Sequence, residues 1–105
     1  MSLNPIFNEV YALFRNVDQK VAIKGESMLK SCVETKIDDK EGFFRCCQES
    51  NKKTENYEND MNALLLYVNK RIQSAEESGE DQVSLNRSLS KKVQFASRRI
   101  ENKYV

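Results

Sequence analysis

Apolar residues in the first third of the chain recur at steps of three and four positions, the spacing of one face of an α-helix. Asn4 suits the N-cap of this helix and Pro5 its first helical position. The stripe consists of Phe7, Val10, Tyr11, Phe14, Val17 and Val21, continued by Met28, Leu29, Cys32 and Val33. We expect a helix from about residue 5 to 34. Gly25 is its weak point, and the pattern leaves open whether the helix is continuous there.

A second, longer helix is predicted after a turn over residues 36–40. Asp38 and Glu41 have the spacing of a capping box that would start it. The seam that follows alternates steps of four and three, a heptad-like pattern. It consists of Phe43, Cys47, Ser50, Thr54, Tyr57, Met61, Leu64, Val68, Ile72 and Ala75. We expect this helix to pack against another along its whole length, with a soft middle over residues 48–56 where apolar side chains are scarce.

The third helix is predicted from about residue 82 to 103. It follows a linker over residues 76–82, in which Ser78 and Gly79 stand among carboxylates. Its seam consists of Leu85, Leu89, Val93, Ala96, Ile100 and Tyr104. Because short connections make consecutive helices antiparallel neighbours, the sequence predicts an all-α antiparallel three-helix bundle with long amphipathic, coiled-coil-like helices. We expect residues 1–105 to form a single domain.

Composition supports this picture. Of the 105 residues, 39% are hydrophobic and 31% charged, and three Gly with one Pro are few turn formers, which suits long helices with narrow seams. No apolar run approaches the roughly 20 residues that a transmembrane helix needs. The N-terminus shows no targeting segment. We therefore expect a cytoplasmic protein with no transmembrane segment.

Three cysteines flank the predicted turn between the first two helices: Cys32, Cys46 and Cys47. A hairpin would bring them towards one another, so a weak zinc site or a redox role is one interpretation. Cytosolic thiols normally stay reduced, however, and a disulfide framework is not expected there. The prediction is buried or half-buried free thiols.

Catalytic chemistry finds little support in the residue types. The chain has no His, and its three glycines stand alone, which excludes Cys-His and Ser-His pairs and a glycine-rich phosphate loop. Glu55, Glu58 and Asp60 could be interpreted as a metal cluster or an acid–base pair, but on a charged helix they are expected to form a solvated face. We expect no catalytic residue, no metal, no cofactor and no enzymatic activity.

The run from Ala63 to Val68 is apolar on every side of the second helix, because successive residues advance by about 100°. Leu64 and Val68 belong to the seam, so Leu66 points almost the opposite way, with Tyr67 beside it. Exposed apolar side chains of this size often mark a contact with another chain. The alternative is that the first and third helices cover this surface.

Phe95 lies off the seam of the third helix. Its four helical neighbours are Lys91, Lys92, Arg98 and Arg99, and residues 85–103 hold six basic side chains against one acidic side chain. This cluster could receive an acidic, apolar partner helix, bind nucleic acid by stacking and phosphate contacts, or meet an anionic membrane surface. The alternative is that Phe95 packs inward and the cations pair with Glu55, Glu58 and the acidic linker.

These features together predict a non-enzymatic protein–protein interaction module: an adaptor, a co-chaperone or a small subunit of a multiprotein complex that binds partner helices. A homodimer is one form that such association could take. The alternative function is a nucleic-acid-binding module that uses the basic third helix.

Overall fold

Three helices follow the three apolar seams. The structure is a computed structural model that describes residues 5–105. It consists of α1 (Ile6–Lys36), α2 (Lys40–Ser78) and α3 (Gln82–Tyr104). Each helix packs against the other two, which confirms the all-α three-helix bundle. The predicted cap at Asn4 lies outside the described residues. Helix α1 is continuous through Gly25, so that question is answered in favour of one long helix.

The helices differ in length, which gives the molecule two unequal parts. Helix α2 has 39 residues and α3 only 23, so at a rise of about 1.5 Å per residue α3 runs along little more than half of α2. The C-terminal Tyr104 of α3 reaches Tyr57 and Asp60 of α2. Beyond that level α1 and α2 continue without a third helix, and the Tyr104 side chain lines a small cleft with Gly25, Met28, Ser50 and Lys53 where this part begins. We call this two-helix segment, residues 25–53, the hairpin arm; the whole rod measures 62 × 23 × 19 Å.

The hydrophobic core lies where all three helices overlap. One cluster of buried side chains contains Ile6, Val10, Val68, Ile72, Ala75, Leu85, Leu89 and Val93. A second contains Val17, Tyr57 and Met61, with Ile100 and Tyr104 packed against it. Both clusters use the predicted seams, because those positions are the ones that helical periodicity turns inward.

The hairpin arm has almost no apolar core. The residues buried in it are Cys32 and Ser50, and Cys32 forms a disulfide with Cys46 across the two helices, with Cα atoms 5.8 Å apart. The expectation of reduced thiols is therefore wrong for these two cysteines, because the hairpin turn places them face to face. Cys47 is a free, half-buried thiol. The segment of α2 predicted to be soft, residues 48–56, thus lies between the disulfide at Cys46 and the core cluster that begins at Tyr57.

Several seam positions predicted for α1 and α2 are exposed rather than buried. Tyr11 is 54% exposed, Leu29 40% and Val33 45%, and Thr54 is exposed as well. Tyr11 lies one residue, or about 100°, beyond the buried Val10. Leu29 and Val33 lie in the arm, where a single neighbouring helix cannot cover a wide face.

The two turns are shorter than predicted. Helix α2 begins at Lys40 after Asp39, so the predicted capping box at Asp38 is wrong; the Asp39 side chain lies against Gly42 and makes no capping hydrogen bond. Helix α2 also continues through the predicted linker to Ser78, and Gly79 then ends it in the left-handed conformation, with φ of 72°. Asp81 caps α3, its carboxylate accepting from the Ser84 backbone N–H at 3.2 Å.

Candidate interaction surface

The outward side of α3 carries an exposed aromatic ring among four cations. Phe95 is 63% exposed, and the Arg99 guanidinium carbon lies 5.8 Å from its ring centroid. Lys91, Lys92 and Arg98 are exposed on the adjoining turns. We call this surface, made by Lys91, Lys92, Phe95, Arg98 and Arg99, the basic face. It combines an apolar anchor with positive charge, the composition that suits an acidic and apolar ligand.

Polar contacts on both sides of α3 fix the direction of the basic face. Towards α1, Glu9 accepts hydrogen bonds from Ser90 and Gln94, and Lys20 pairs with Glu101 at 2.6 Å. These contacts hold one flank of α3 against α1. The basic face lies on the side of the helix turned away from the seam and is therefore directed to solvent.

Towards α2, α3 is held by Asp60. Its carboxylate accepts from the Tyr104 hydroxyl at 2.6 Å and from the Lys103 ammonium at 3.2 Å. The hydrogen bond from Tyr104, followed by that from Lys103, holds the pKa of Asp60 below its usual range despite some desolvation. Asp60 is thus a structural link between helices and does not belong to a solvated acidic face.

Tyr67 of α2 forms the edge of the basic face. The Lys92 ammonium donates to the Tyr67 hydroxyl at 3.2 Å and lies 5.9 Å from the centroid of its ring. Tyr67 is 41% exposed and Leu66 is 55% exposed, so α1 and α3 do not cover them. Because Leu66 lies about 100° further round α2 than Tyr67, it points away from α3. The structure therefore brings Tyr67, but not Leu66, together with the basic face.

The cations of the basic face have no salt-bridge partner among residues 5–105. The salt bridges in that range join Lys20 to Glu101, Lys30 to Glu34, Arg71 to Glu80 and Lys103 to Asp60. Glu80 of the acidic turn is paired with Arg71, at 2.8 Å, and not with α3. The alternative in which Phe95 packs inward and its neighbouring cations pair with bundle acids is therefore wrong.

A second surface, missed by the sequence reasoning, lies between α1 and α2. It is an open groove with a volume of about 690 Å³. Its apolar lining consists of Phe14, Val21, Ala22, Gly25, Leu29, Met61 and Leu65, and its polar lining of Asp18, Glu26, Thr54, Tyr57, Glu58 and Asn62. We call it the acidic groove, because its charged lining residues are all carboxylates. Periodicity gave no direct signal for it, since the groove exists only because α3 packs on the other side of the α1–α2 pair.

One hydrogen bond crosses the floor of the acidic groove. The Tyr57 hydroxyl donates to the Asp18 carboxylate. Burial raises the pKa of Tyr57, and the hydrogen bond to Asp18 and its charge act in the same direction. Tyr57 therefore stays neutral as the donor, and Asp18 is fixed on the groove wall.

No three or more Cys, Asp or Glu side chains in residues 5–105 are arranged to hold a metal ion. None of the helices in that range is long and apolar enough to cross a membrane. Comparisons with protein family models, with curated proteins and with solved structures gave no significant match.

Proposed function

We propose that this chain is a non-enzymatic interaction module that binds an acidic, amphipathic helix of another protein at the basic face. The observation that carries the proposal is the 63% exposure of Phe95 among cations that have no acidic partner in residues 5–105. A large exposed aromatic ring within a charged ring is typical of an interface anchor surrounded by steering charges.

The magnitudes give Phe95 and the surrounding cations different roles. Burying the exposed part of a Phe side chain contributes about 1 to 2 kcal/mol. Cations on the rim contribute mainly to the association rate and its salt dependence. Phe95 supplies the anchor in this arrangement, and Tyr67 extends the apolar area towards α2. An adaptor, a co-chaperone or a small complex subunit would use such a surface.

Quantitative co-purification from the native host tests the proposal. Phe95→Ala and the double variant Lys91→Glu/Arg98→Glu should each lower recovery of the partner at least about five-fold relative to wild type, the equivalent of about 1 kcal/mol. The matched control Arg15→Glu/Lys52→Glu changes the net charge equally at exposed positions away from the basic face. Equal recovery by wild type, both test variants and the control would exclude the basic face as the interface.

As an interaction module, the chain would also be able to self-associate through a different surface. Leu66 is an exposed apolar side chain on the outward side of α2. If the chain forms a homodimer there, light scattering after size exclusion should give a dimer mass for wild type and a monomer mass for Leu66→Asp. A monomer mass for both proteins removes Leu66 from the interface.

Nucleic-acid binding is the second candidate function. The unpaired cations and the exposed Phe95 ring favour it, since phosphates and a stacked base are the ligands they would bind. Fluorescence anisotropy with single-stranded and double-stranded oligonucleotides at low salt tests it. The candidate predicts binding that weakens steeply with salt and with Lys91→Glu/Arg98→Glu, whereas a flat titration removes it.

The cytoplasmic location expected from the sequence is still to be tested. The Cys32–Cys46 disulfide argues against it, because disulfides are uncommon in reducing compartments. Alkylation of thiols in intact cells followed by mass spectrometry distinguishes the cases. Alkylated Cys32 and Cys46 support the cytoplasm, and protection of both with alkylation of Cys47 supports an oxidising compartment.

A further inference from the structure

The acidic groove lies on the side of the bundle opposite α3. Six α2 residues line it, and three of them, Glu58, Asn62 and Leu65, alternate around the helix with Asp60 and Tyr67, which contact α3. Tyr57 lies between the two sides, because it lines the groove and also packs against Tyr104 of α3. Asn62 lies about 200° from Asp60 on a helix. One face of the α1–α2 pair is thus covered by α3, and the other is left open.

The dimensions of the acidic groove match one further helix. Its α1 wall runs from Phe14 to Leu29, which at about 1.5 Å per residue is about 22 Å, or four helical turns. Both walls are helices, and a helix laid between two helices at a spacing of about 8 to 10 Å is the usual packing of a bundle. A fourth helix there would complete a four-helix arrangement around α1 and α2.

Small residues on the α1 wall permit close approach. Ala22 and Gly25 lie on consecutive turns of the wall, and a Cβ atom built on Gly25 meets nothing within 4 Å. The glycine is therefore not required by the fold around it. Space is left at the centre of the groove, where a partner backbone or a large side chain would fit.

The negative charge of the groove lining indicates which kind of helix would bind there. The charged groups of the lining are the carboxylates of Asp18, Glu26 and Glu58, with no Lys or Arg among the lining residues. Their arrangement around apolar side chains complements a helix that has an apolar stripe flanked by Lys and Arg. The chain's own basic helix does not fit that description, because α3 buries its apolar seam inside the bundle.

We infer that the acidic groove binds a cationic amphipathic helix of a separate protein as the fourth helix of the bundle. This inference does not depend on the basic face, for which a ligand of opposite charge is proposed on the opposite side. The chain would then join two helices of contrasting charge, one on each side of the rod.

Two synthetic peptides test the inference. One is an amphipathic helix of about 16 residues, or four turns, with Leu at the core heptad positions and Lys at the flanking positions; its twin has Glu in place of Lys. Each is labelled with fluorescein and titrated with the full chain. The Lys peptide should bind at least about ten-fold more tightly than the Glu twin.

Groove variants of the chain locate the binding. Gly25→Leu places a large side chain in the groove and improves helix propensity, and circular dichroism checks that the variant is folded. This variant should bind the Lys peptide about ten-fold or more weakly than wild type. Gly25→Ala should change the affinity less than about two-fold. Glu26→Lys/Glu58→Lys should abolish binding. The charge-matched control Glu49→Lys/Glu77→Lys, at exposed positions outside the groove lining, should retain it.

Three results would overturn the inference. One is a Lys peptide that binds no more tightly than its Glu twin. Another is undiminished binding to a folded Gly25→Leu variant. The third is a wild-type chain that self-associates with rising concentration while Gly25→Leu stays monomeric, because the occupant would then be a second copy.

Discussion

Reduction of the Cys32–Cys46 disulfide should loosen the hairpin arm and leave the three-helix core folded. The bond closes a loop with a sequence separation of 14 residues, and a cross-link of that span stabilises by about 3 kcal/mol in the chain-entropy account. The arm has little else to hold it, since its buried residues are Cys32 and Ser50. The loss should therefore appear as local opening, because the two core clusters lie elsewhere.

Amide hydrogen exchange with and without dithiothreitol measures this effect. A loss of about 3 kcal/mol corresponds to roughly a 100-fold fall in protection for amides between residues 25 and 53. Amides of residues 60–75 and 85–100 should keep their protection within about three-fold, as expected for a separate cooperative unit. Cys47→Ser removes the free thiol and should exchange like oxidised wild type. Unchanged protection in the reduced arm, or an equal loss in the core, would refute the reasoning.

Three further predictions concern four single substitutions. Gly79→Ala should lower the free energy of unfolding by about 1 kcal/mol, because the backbone there has a positive φ. Gly25→Ala should raise the free energy of unfolding by about 1 kcal/mol, because Ala is the better helix former and its Cβ meets no other atom. Thermal melts measure both, and shifts of the melting temperature in the same direction would contradict this expectation. Ser97→Ala should raise the free energy of unfolding in urea by about 1 kcal/mol, since the buried Ser97 hydroxyl has no hydrogen-bond partner among residues 5–105; destabilisation would be the opposing result. The lowered pKa of Asp60 stabilises the folded state above the ordinary carboxyl pKa, and this contribution is lost as pH falls through the folded-state value. Asp60→Asn should therefore be less stable than wild type in urea at pH 7 and approach it at pH 3, whereas a constant difference would exclude this linkage.

The helices could be predicted from sequence because each has a sustained seam. Leu85, Leu89 and Val93 recur at steps of four and are almost fully buried, and Val10 and Val68 behave in the same way. Helix ends were less predictable. The choice between Asp38 and Asp39 as the first cap depends on local side-chain geometry, which helical periodicity does not determine.

The candidate site was predictable in part. The sequence placed Phe95 off the seam and among cations but left inward packing open; the 63% exposure of the ring in the structure decides between the two. The acidic groove was not predictable, because it depends on which side of the α1–α2 pair α3 packs against. The Cys32–Cys46 bond depends on oxidation state as well as proximity, and only the proximity could be inferred from the hairpin.

Photo-crosslinking from position 95 tests the proposed interaction most directly. Phe95 is replaced by benzoylphenylalanine in the native host, with the same replacement at exposed Asn59 as the control, and crosslinked peptides are identified by mass spectrometry. One predominant partner should be crosslinked from position 95 and not from position 59, through a helical segment rich in Asp and Glu. Crosslinks to nucleic acid, or equal adducts from both positions, would contradict the proposed interaction.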